Sequence, residues 1–207
     1  MKKMSENKEQ SSSIIIICFS TDIENYKPMG LIRQYLVYEE CSNVKYIKEE
    51  GVEFDHHLNN NNNKNNHLKF LEIINIDKSS SKCNLADSYL FLINLEKEEI
   101  FEQMELIFSY IKNNGNTDKI IYIIGLYINS NNIKEEYNEE NIKEFIDQKK
   151  LNYEYYELNF DSTNELVKII DNISNDTIKS KKDFYQKENN NTNSKENNQS
   201  GSNCIII

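Results

Sequence analysis

Short unbroken apolar runs are the clearest pattern along the chain. Residues 14–19, 87–95 and 119–125 are almost continuously apolar, and the first and last of these runs are rich in isoleucine. Runs of this kind are typical of strands that are buried on both faces of a parallel sheet. We therefore expect these three segments to form the centre of one sheet.

Elsewhere the apolar residues fall three and four positions apart. In the segment after the second run, Ile100, Met104, Ile107 and Ile111 would share one side of a helix. The same spacing recurs in three other places. Helices are predicted from near residue 28 and over residues 98–113, 138–149 and 161–173.

Two further segments alternate between apolar and polar residues with a period of two. They cover residues 51–58 and 67–74, and residues 59–66 between them are almost all asparagine. Alternation of this kind indicates strands with one buried face, and a polar low-complexity stretch between two strands indicates a loop. We expect a β-hairpin that carries a solvated asparagine-rich insertion.

Together these elements predict an α/β fold. A final strand is expected at 153–158, so the fold would be a doubly wound, mostly parallel six-stranded sheet flanked by helices, with one antiparallel strand at its edge. The domain is expected to cover residues 13–174, after a disordered leader at 1–12. Residues 175–207 are rich in Asn, Lys, Ser and Glu, which predicts a flexible tail.

Composition narrows the possible functions. The net charge of −10 argues against a nucleic-acid partner, because no basic stripe is present to face a phosphate backbone. The four cysteines are widely separated, the first residues lack an apolar signal segment, and no run reaches the roughly 18 apolar residues of a membrane span. We expect an intracellular chain. His56, His57 and His67 flank the asparagine-rich residues 59–66. Adjacent histidines of a strand lie on opposite faces, so we expect these three to be surface histidines, and no metal site is predicted.

Several core segments resemble the Ras-like small GTPases, and the Rab branch most closely. Residues 30–35 (GLIRQY) are similar to the first turns of the helix that follows the phosphate loop, and residues 51–54 (GVEF) to the strand that follows switch I. Residues 71–74 (LEII) and 86–93 (ADSYLFLI) are similar to the strands before and after switch II. The resemblance covers about residues 13–174 and implies a P-loop NTPase-like fold.

The phosphate loop of that family is altered in this chain. The motif G-x-x-x-x-G-K-[ST] uses glycines to bring the backbone close to the phosphates and a lysine to neutralise them. Residues 20–27 contain no glycine, and Lys27 lies one position early. Asp22 and Glu24 place negative charge where a polyanion would bind.

The other nucleotide-binding motifs are altered as well. The position of the switch I threonine corresponds to Glu49, the D-T-A-G-Q motif begins at Asn75, and the base-recognition motif N-K-x-D ends in Asn129 in place of aspartate. No catalytic residue is predicted. If a nucleotide does bind, the resemblance implies contacts from Asp22, Lys27, Gly30, Glu49, Asn75 and Asn129.

The C-terminal sequence Cys204-Ile205-Ile206-Ile207 fits the prenylation motif C-a-a-X. It predicts a prenyl group on Cys204, with geranylgeranyl favoured over farnesyl, and implies a prenyltransferase and a prenyl-binding chaperone as partners. One lipid gives only marginal and reversible membrane binding. The expected location is the cytoplasmic face of a membrane, in exchange with the cytosol.

Two functions remain open on the sequence. The favoured one is a prenyl-anchored, nucleotide-independent interaction module (a pseudo-GTPase) that binds protein effectors in membrane trafficking or signalling and has no cofactor other than the lipid. The alternative is a divergent GTP-hydrolysing switch that uses GTP, GDP and Mg²⁺.

Overall fold

The computed structural model describes residues 13–20, 43–47, 51–57, 67–73 and 80–196 of the chain. Its strands are β1 (Ser13–Ser20), β2 (Asn43–Ile47), β3 (Gly51–His57), β4 (His67–Ile73), β5 (Ser88–Asn94), β6 (Ile121–Tyr127) and β7 (Tyr153–Asn159). Its helices are α1 (Ser80–Cys83), α2 (Ile100–Asn114), α3 (Glu139–Asp147) and α4 (Thr163–Glu196), with short 3₁₀ turns at Ser130–Asn132 and Glu135–Tyr137.

The strands form one sheet in the order β2-β3-β4-β1-β5-β6-β7. The five strands from β4 to β7 in this order are mutually parallel, whereas β3 is antiparallel to β4 and β2 is antiparallel to β3. Counted along the chain, the parallel strands have the order 2-1-3-4-5, which is a doubly wound arrangement. The predicted α/β class and mostly parallel sheet are therefore confirmed.

The predicted number of six strands is wrong, because the described residues contain a seventh strand, β2. The sequence predicts no strand in this segment. Its apolar residues are Val44, Tyr46 and Ile47, and they pair with Phe54, Val52 and Gly51 of β3. A strand of five residues at the edge of a sheet needs little apolar surface, so its sequence signal is weak.

The predicted hairpin is confirmed by the pairing of β3 with β4. Their register runs from Gly51 opposite Ile73 to His57 opposite His67. The asparagine-rich residues 59–66 lie outside the described part of the chain.

Two hydrophobic cores lie on the two faces of the sheet, because side chains alternate between the faces of each strand. On one face, which we call the α2–α3 face, residues such as Ile17, Phe91 and Ile123 pack with Met104 of α2 and Ile142 of α3. On the opposite face, the α4 face, buried strand residues pack against α4. The strand residues include Ile16, Leu90 and Tyr122, and those of α4 include Leu166, Ile170 and Ile173.

The C-terminal helix is longer than its apolar pattern predicts. It was expected to end at residue 173 and to be followed by a flexible tail, but α4 continues to Glu196. Ile178 is only 3% exposed, and the hydroxyl oxygens of Thr177 and Ser88 lie 2.9 Å apart in a hydrogen bond. The inward positions of this part of α4 are largely polar and meet polar partners on the sheet, which explains why the hydrophobic pattern ends too early.

Three further predictions concern residues outside the described part of the chain. They are the disordered leader at 1–12, the helix from near residue 28, and the flexible tail where it covers residues 197–207. Within that part, no helix combines the length and the apolar character that crossing a membrane requires.

Candidate functional site

The topology singles out one edge of the sheet, where the parallel strands end. We call it the carboxyl edge. Ligands of doubly wound sheets bind in the crevice at this edge, at the point where the strand order reverses. Here the reversal falls between β1, which ends at Ser20, and β5, which ends at Asn94. The loops that follow β5, β6 and β7 adjoin this point and are described.

The loop after β5 is held by its own polar groups. Asn94 is only 4% exposed, and its Oδ1 accepts a hydrogen bond of 3.1 Å from the backbone N–H of Glu96. The N–H of Leu95 donates to the carbonyl of Leu126 on the neighbouring strand at 2.8 Å. The side chain of Asn94 therefore fixes the start of this loop and presents Glu96 to its neighbours.

Glu96 joins the loop after β5 to the loop after β6. Its Oε1 accepts a hydrogen bond of 2.9 Å from the N–H of Asn129 and a second one of 3.0 Å from Nδ2 of Asn132. Both donors lie more than thirty positions further along the chain. Hydrogen bonds to a carboxylate are stronger than those between neutral groups, so Glu96 holds the two loops together firmly.

Asn129 is the predicted base-recognition residue, and the structure places it at the carboxyl edge. Its Oδ1 accepts a hydrogen bond of 3.0 Å from the N–H of Asn131. Through this bond Asn129 caps the beginning of the 3₁₀ turn Ser130–Asn132. Asparagine often caps a turn of its own backbone in this way. Its N–H and its Oδ1 are both engaged by the chain itself.

The loop after β7 completes the set of ties. Nδ2 of Asn159 donates to the carbonyl of Ile128 at 3.0 Å, and its Oδ1 accepts from the N–H of Asp161 at 2.9 Å. The N–H of Phe160 donates to the carbonyl of Tyr127 at 2.7 Å. The loops after β5, β6 and β7 are thus connected by hydrogen bonds of polar side chains that lie at the last residue of a strand or just after it.

An ion pair between Glu98 and Lys134 lies next to these loops. Glu98 accepts a hydrogen bond of 2.9 Å from Nζ of Lys134, and this bond, together with the lysine charge, lowers the pKa of Glu98. The same bond raises the pKa of Lys134. Both side chains stay charged at neutral pH, so this lysine is paired with a carboxylate of its own chain.

The other predicted site residues cannot be compared with this geometry. Five nucleotide-binding candidates and the lipidation site lie outside the described residues: Asp22, Lys27, Gly30, Glu49, Asn75 and Cys204. Within the described part of the chain, no group of three or more His, Cys, Asp or Glu side chains is arranged to hold a metal ion.

Sequence reasoning missed the role of Glu96. It follows directly after the buried run 87–95, and a polar residue at that position will lie at the carboxyl edge of a parallel sheet. The sequence therefore indicates where Glu96 lies. It does not indicate its hydrogen-bond partners, because Asn129 and Asn132 come close to Glu96 only once β5 and β6 have paired.

Comparison with known proteins adds no relative. No protein-family model matches the sequence, and no curated protein matches it.

Proposed function

We propose that this protein is a Rab-like, prenyl-anchored interaction module that works without a nucleotide cycle. In this proposal the sheet and helices present a surface to protein effectors at the cytoplasmic face of a membrane. Cys204 carries the prenyl group that holds the domain there. GTP, GDP and Mg²⁺ are not part of its function.

The observation that carries the proposal is the set of internal hydrogen bonds at the carboxyl edge. A guanine base needs an acceptor with two free lone pairs to receive its two N–H groups, and aspartate supplies this in the family motif. In this chain Asn129 stands at that position, and its Oδ1 already receives the N–H of Asn131. A base would have to displace that bond and would still meet the amide NH₂ of Asn129, which is a donor.

Charge supports the same conclusion. Glu96 places a carboxylate in the loop after β5, and the sequence places Asp22 and Glu24 in the segment after β1. Two like charges about 4 Å apart repel by about 1 kcal/mol even in water, and by more where solvent is excluded. In the family alignment Asp22 and Glu24 fall in the phosphate loop, so both charges would oppose a bound triphosphate.

The fold is compatible with the family resemblance. The 2-1-3-4-5 order of the parallel strands and the antiparallel strand next to them agree with the predicted arrangement, apart from the additional strand β2. Many unrelated functions share such sheets, so the fold supports the proposal only together with the local sequence similarity.

The anchor is supported by the position of the C-terminal cysteine. α4 ends at Glu196, and the segment from there to Cys204 spans at most about 28 Å when extended. A segment of this length and polar composition can present the thiol to a prenyltransferase.

A nucleotide titration tests the first part of the proposal. Purified protein is titrated with fluorescent GTP and GDP, each with and without Mg²⁺, and fluorescence polarisation is measured. We expect no saturable binding in the micromolar range. Micromolar or tighter binding would overturn the proposal and favour the alternative of a divergent GTP-hydrolysing switch.

Membrane fractionation tests the second part. Cys204→Ser should move the protein from the membrane fraction to the soluble fraction, whereas the control Cys41→Ser should leave its distribution unchanged. A Cys204→Ser protein that stays on membranes as well as the parent would exclude the lipid anchor and would leave the nucleotide result unaffected.

A further inference from the structure

The last strand along the chain, β7, lies at one edge of the sheet. It pairs with β6 on one side, and no other described strand pairs with it on the opposite side. A strand in this position presents a row of N–H and C=O groups that the sheet does not use, and such a row can pair with another extended chain. With seven residues, β7 is long enough to offer several of these groups.

The hydrogen bonds at the two ends of β7 show which of its residues face outwards. The N–H of Ile121 donates to the carbonyl of Asn152 at 2.9 Å, and the N–H of Phe160 donates to the carbonyl of Tyr127 at 2.7 Å. In a parallel pair, alternate residues point both of their backbone groups at the neighbouring strand. The even-numbered residues of β7 therefore bond to β6. The outward-pointing backbone groups belong to the odd-numbered residues, among them Tyr153, Tyr155 and Glu157.

Carboxylates flank this edge on the α2–α3 face. Tyr155 packs against the core of that face, and its pKa is raised by burial and then by the charges of Glu157 and Glu139. Lys143 is nearby, with its Nζ 2.5 Å from Oε1 of Glu139 and 5.9 Å from the centroid of the Tyr155 ring. This lysine pairs with Glu139, so the exposed Glu157 supplies the negative charge that faces solvent here.

Carboxylates also flank the edge on the α4 face. Tyr156 packs against the core of this face, and its hydroxyl donates a hydrogen bond of 2.6 Å to Oε2 of Glu154. Burial, Glu154 and Asp176 of α4 together raise the pKa of Tyr156. Both faces next to β7 are therefore acidic. Such an edge repels a second copy of itself and attracts a chain that carries positive charge.

We propose that the free edge of β7 binds an extended segment of a partner protein that is rich in lysine or arginine. The segment would add an eighth strand to the sheet through the outward backbone groups of Tyr155 and Glu157. Its basic side chains would lie beside Glu154 on one face or Glu157 on the other. This inference rests on the proposed interaction module and names the kind of effector segment that it would bind. It requires neither the lipid nor the absence of a nucleotide.

The test uses a fluorescein-labelled peptide of four Lys-Val repeats as the probe and measures its fluorescence anisotropy with the full-length protein. We expect saturable binding. A peptide of four Lys-Pro repeats has the same charge but cannot pair as a strand, so it should bind at least tenfold more weakly. Glu154→Gln combined with Glu157→Gln should weaken binding of the Lys-Val peptide at least fivefold. The matched control, Glu102→Gln with Asp183→Asn, removes two exposed carboxylates elsewhere and should change binding less than twofold.

Amide hydrogen exchange, followed by NMR, gives a second readout on the parent protein and needs no variant. The Lys-Val peptide should slow exchange at Tyr155 and Glu157 at least tenfold. Exchange at Glu154 and Tyr156 should change less than twofold, because these amides already bond to β6.

The proposal is overturned if the Lys-Val peptide does not bind, if the Lys-Pro peptide binds equally well, or if the two double variants bind alike. Unchanged exchange at Tyr155 and Glu157 would also refute it. Protection of both amides without peptide, increasing with protein concentration, would overturn it in favour of a second copy of this chain. None of these outcomes alters the nucleotide titration or the membrane fractionation, so the proposed function is tested separately.

Discussion

Replacing Lys181 by methionine should destabilise the folded domain, although this residue lies in the segment that the sequence predicts as a flexible tail. Nζ of Lys181 is 2.7 Å from Oδ2 of Asp87, and the two side chains are only 15% and 12% exposed. The same Asp87 oxygen accepts the N–H of Ile15 at 2.9 Å. The ion pair thus joins α4 to the beginnings of β1 and β5.

The burial of this ion pair determines how large a loss of stability we expect. Removing one partner of a buried ion pair typically costs 3–5 kcal/mol, because the other charge stays buried without compensation. Asp87 keeps the hydrogen bond from Ile15 and a small contact with water, so the lower end applies. We expect a loss of about 3 kcal/mol in the free energy of unfolding, which lowers the melting temperature by about 6–12 °C for a domain of this size.

Urea unfolding followed by far-UV circular dichroism measures this loss. Tyrosine fluorescence can serve as a second probe, since the chain has 13 tyrosines and no tryptophan. Lys179→Met is the matched control: Lys179 lies on the same helix but is exposed, so the change should stay within about 0.5 kcal/mol. Asp87→Asn, which keeps an acceptor for Ile15 but removes the charge, should lower stability by a similar amount to Lys181→Met.

A double-mutant cycle separates the pair from other effects of the substitutions. If the pair acts as described, the Asp87→Asn and Lys181→Met losses should add to clearly more than the loss in the double variant. A Lys181→Met protein as stable as Lys179→Met would show that α4 does not pack beyond residue 174. The predicted tail boundary would then be correct after all.

Three further predictions concern the buried group around Tyr89. Gly115→Ala should cost about 1–3 kcal/mol, because the added Cβ would collide with the hydroxyl of Tyr89 and the carbonyl of Ile111; thermal unfolding measures it. Tyr89→Phe should cost a similar amount in urea unfolding, because the hydroxyl accepts the N–H of Asn116 at 2.9 Å and donates to the carbonyl of Cys83 at 3.1 Å. Burial raises the pKa of the Cys83 thiol from its ordinary 9.0 to about 11, so the folded protein holds this proton more tightly than the unfolded chain. The contribution of Cys83 to stability should therefore be present below pH 9 and fall by about 2 kcal/mol between pH 9 and pH 11. Buried tyrosines with raised pKa add to the fall in the same range, so the measurement is the difference between the parent and Cys83→Ala, which should show a smaller fall.

The parts of the fold that the sequence predicted correctly are those with strong hydrophobic signals. Residues 14–19 are a continuous apolar run and residues 119–125 an almost continuous one, and the strands β1 and β6 that contain most of these residues lie inside the sheet. By contrast, β2 is only five residues long and mixes three apolar residues with Asn43 and Lys45, and its pairing with β3 depends on backbone hydrogen bonds that any side chain permits. The apolar pattern of a sequence reports the burial of side chains, so a short edge strand gives it only a weak signal.

The candidate site, too, could be predicted from the sequence only in part. The rule that ligands bind at the carboxyl ends of parallel strands directs attention to one edge of the sheet, and the structure places Asn129 at that edge, whereas its role in binding stays a prediction. The ties made by Glu96 and Asn159 were not foreseen, because each joins loops that are distant in sequence. Hydrogen-bond partners of exposed polar residues depend on loop conformation, which has no periodic signal in the sequence.

The length of α4 also bears on how a lipid on Cys204 would hold the domain. A flexible segment from residue 175 onward would have a root-mean-square span of about 30 Å and would allow any orientation. With α4 helical to Glu196, the part beyond Lys181 instead projects about 22 Å from the edge of the sheet where the parallel strands begin. The end of α4 that leads towards Cys204 therefore lies beyond the edge where the parallel strands begin, on the side of the sheet opposite to the carboxyl edge with Glu96 and Asn129.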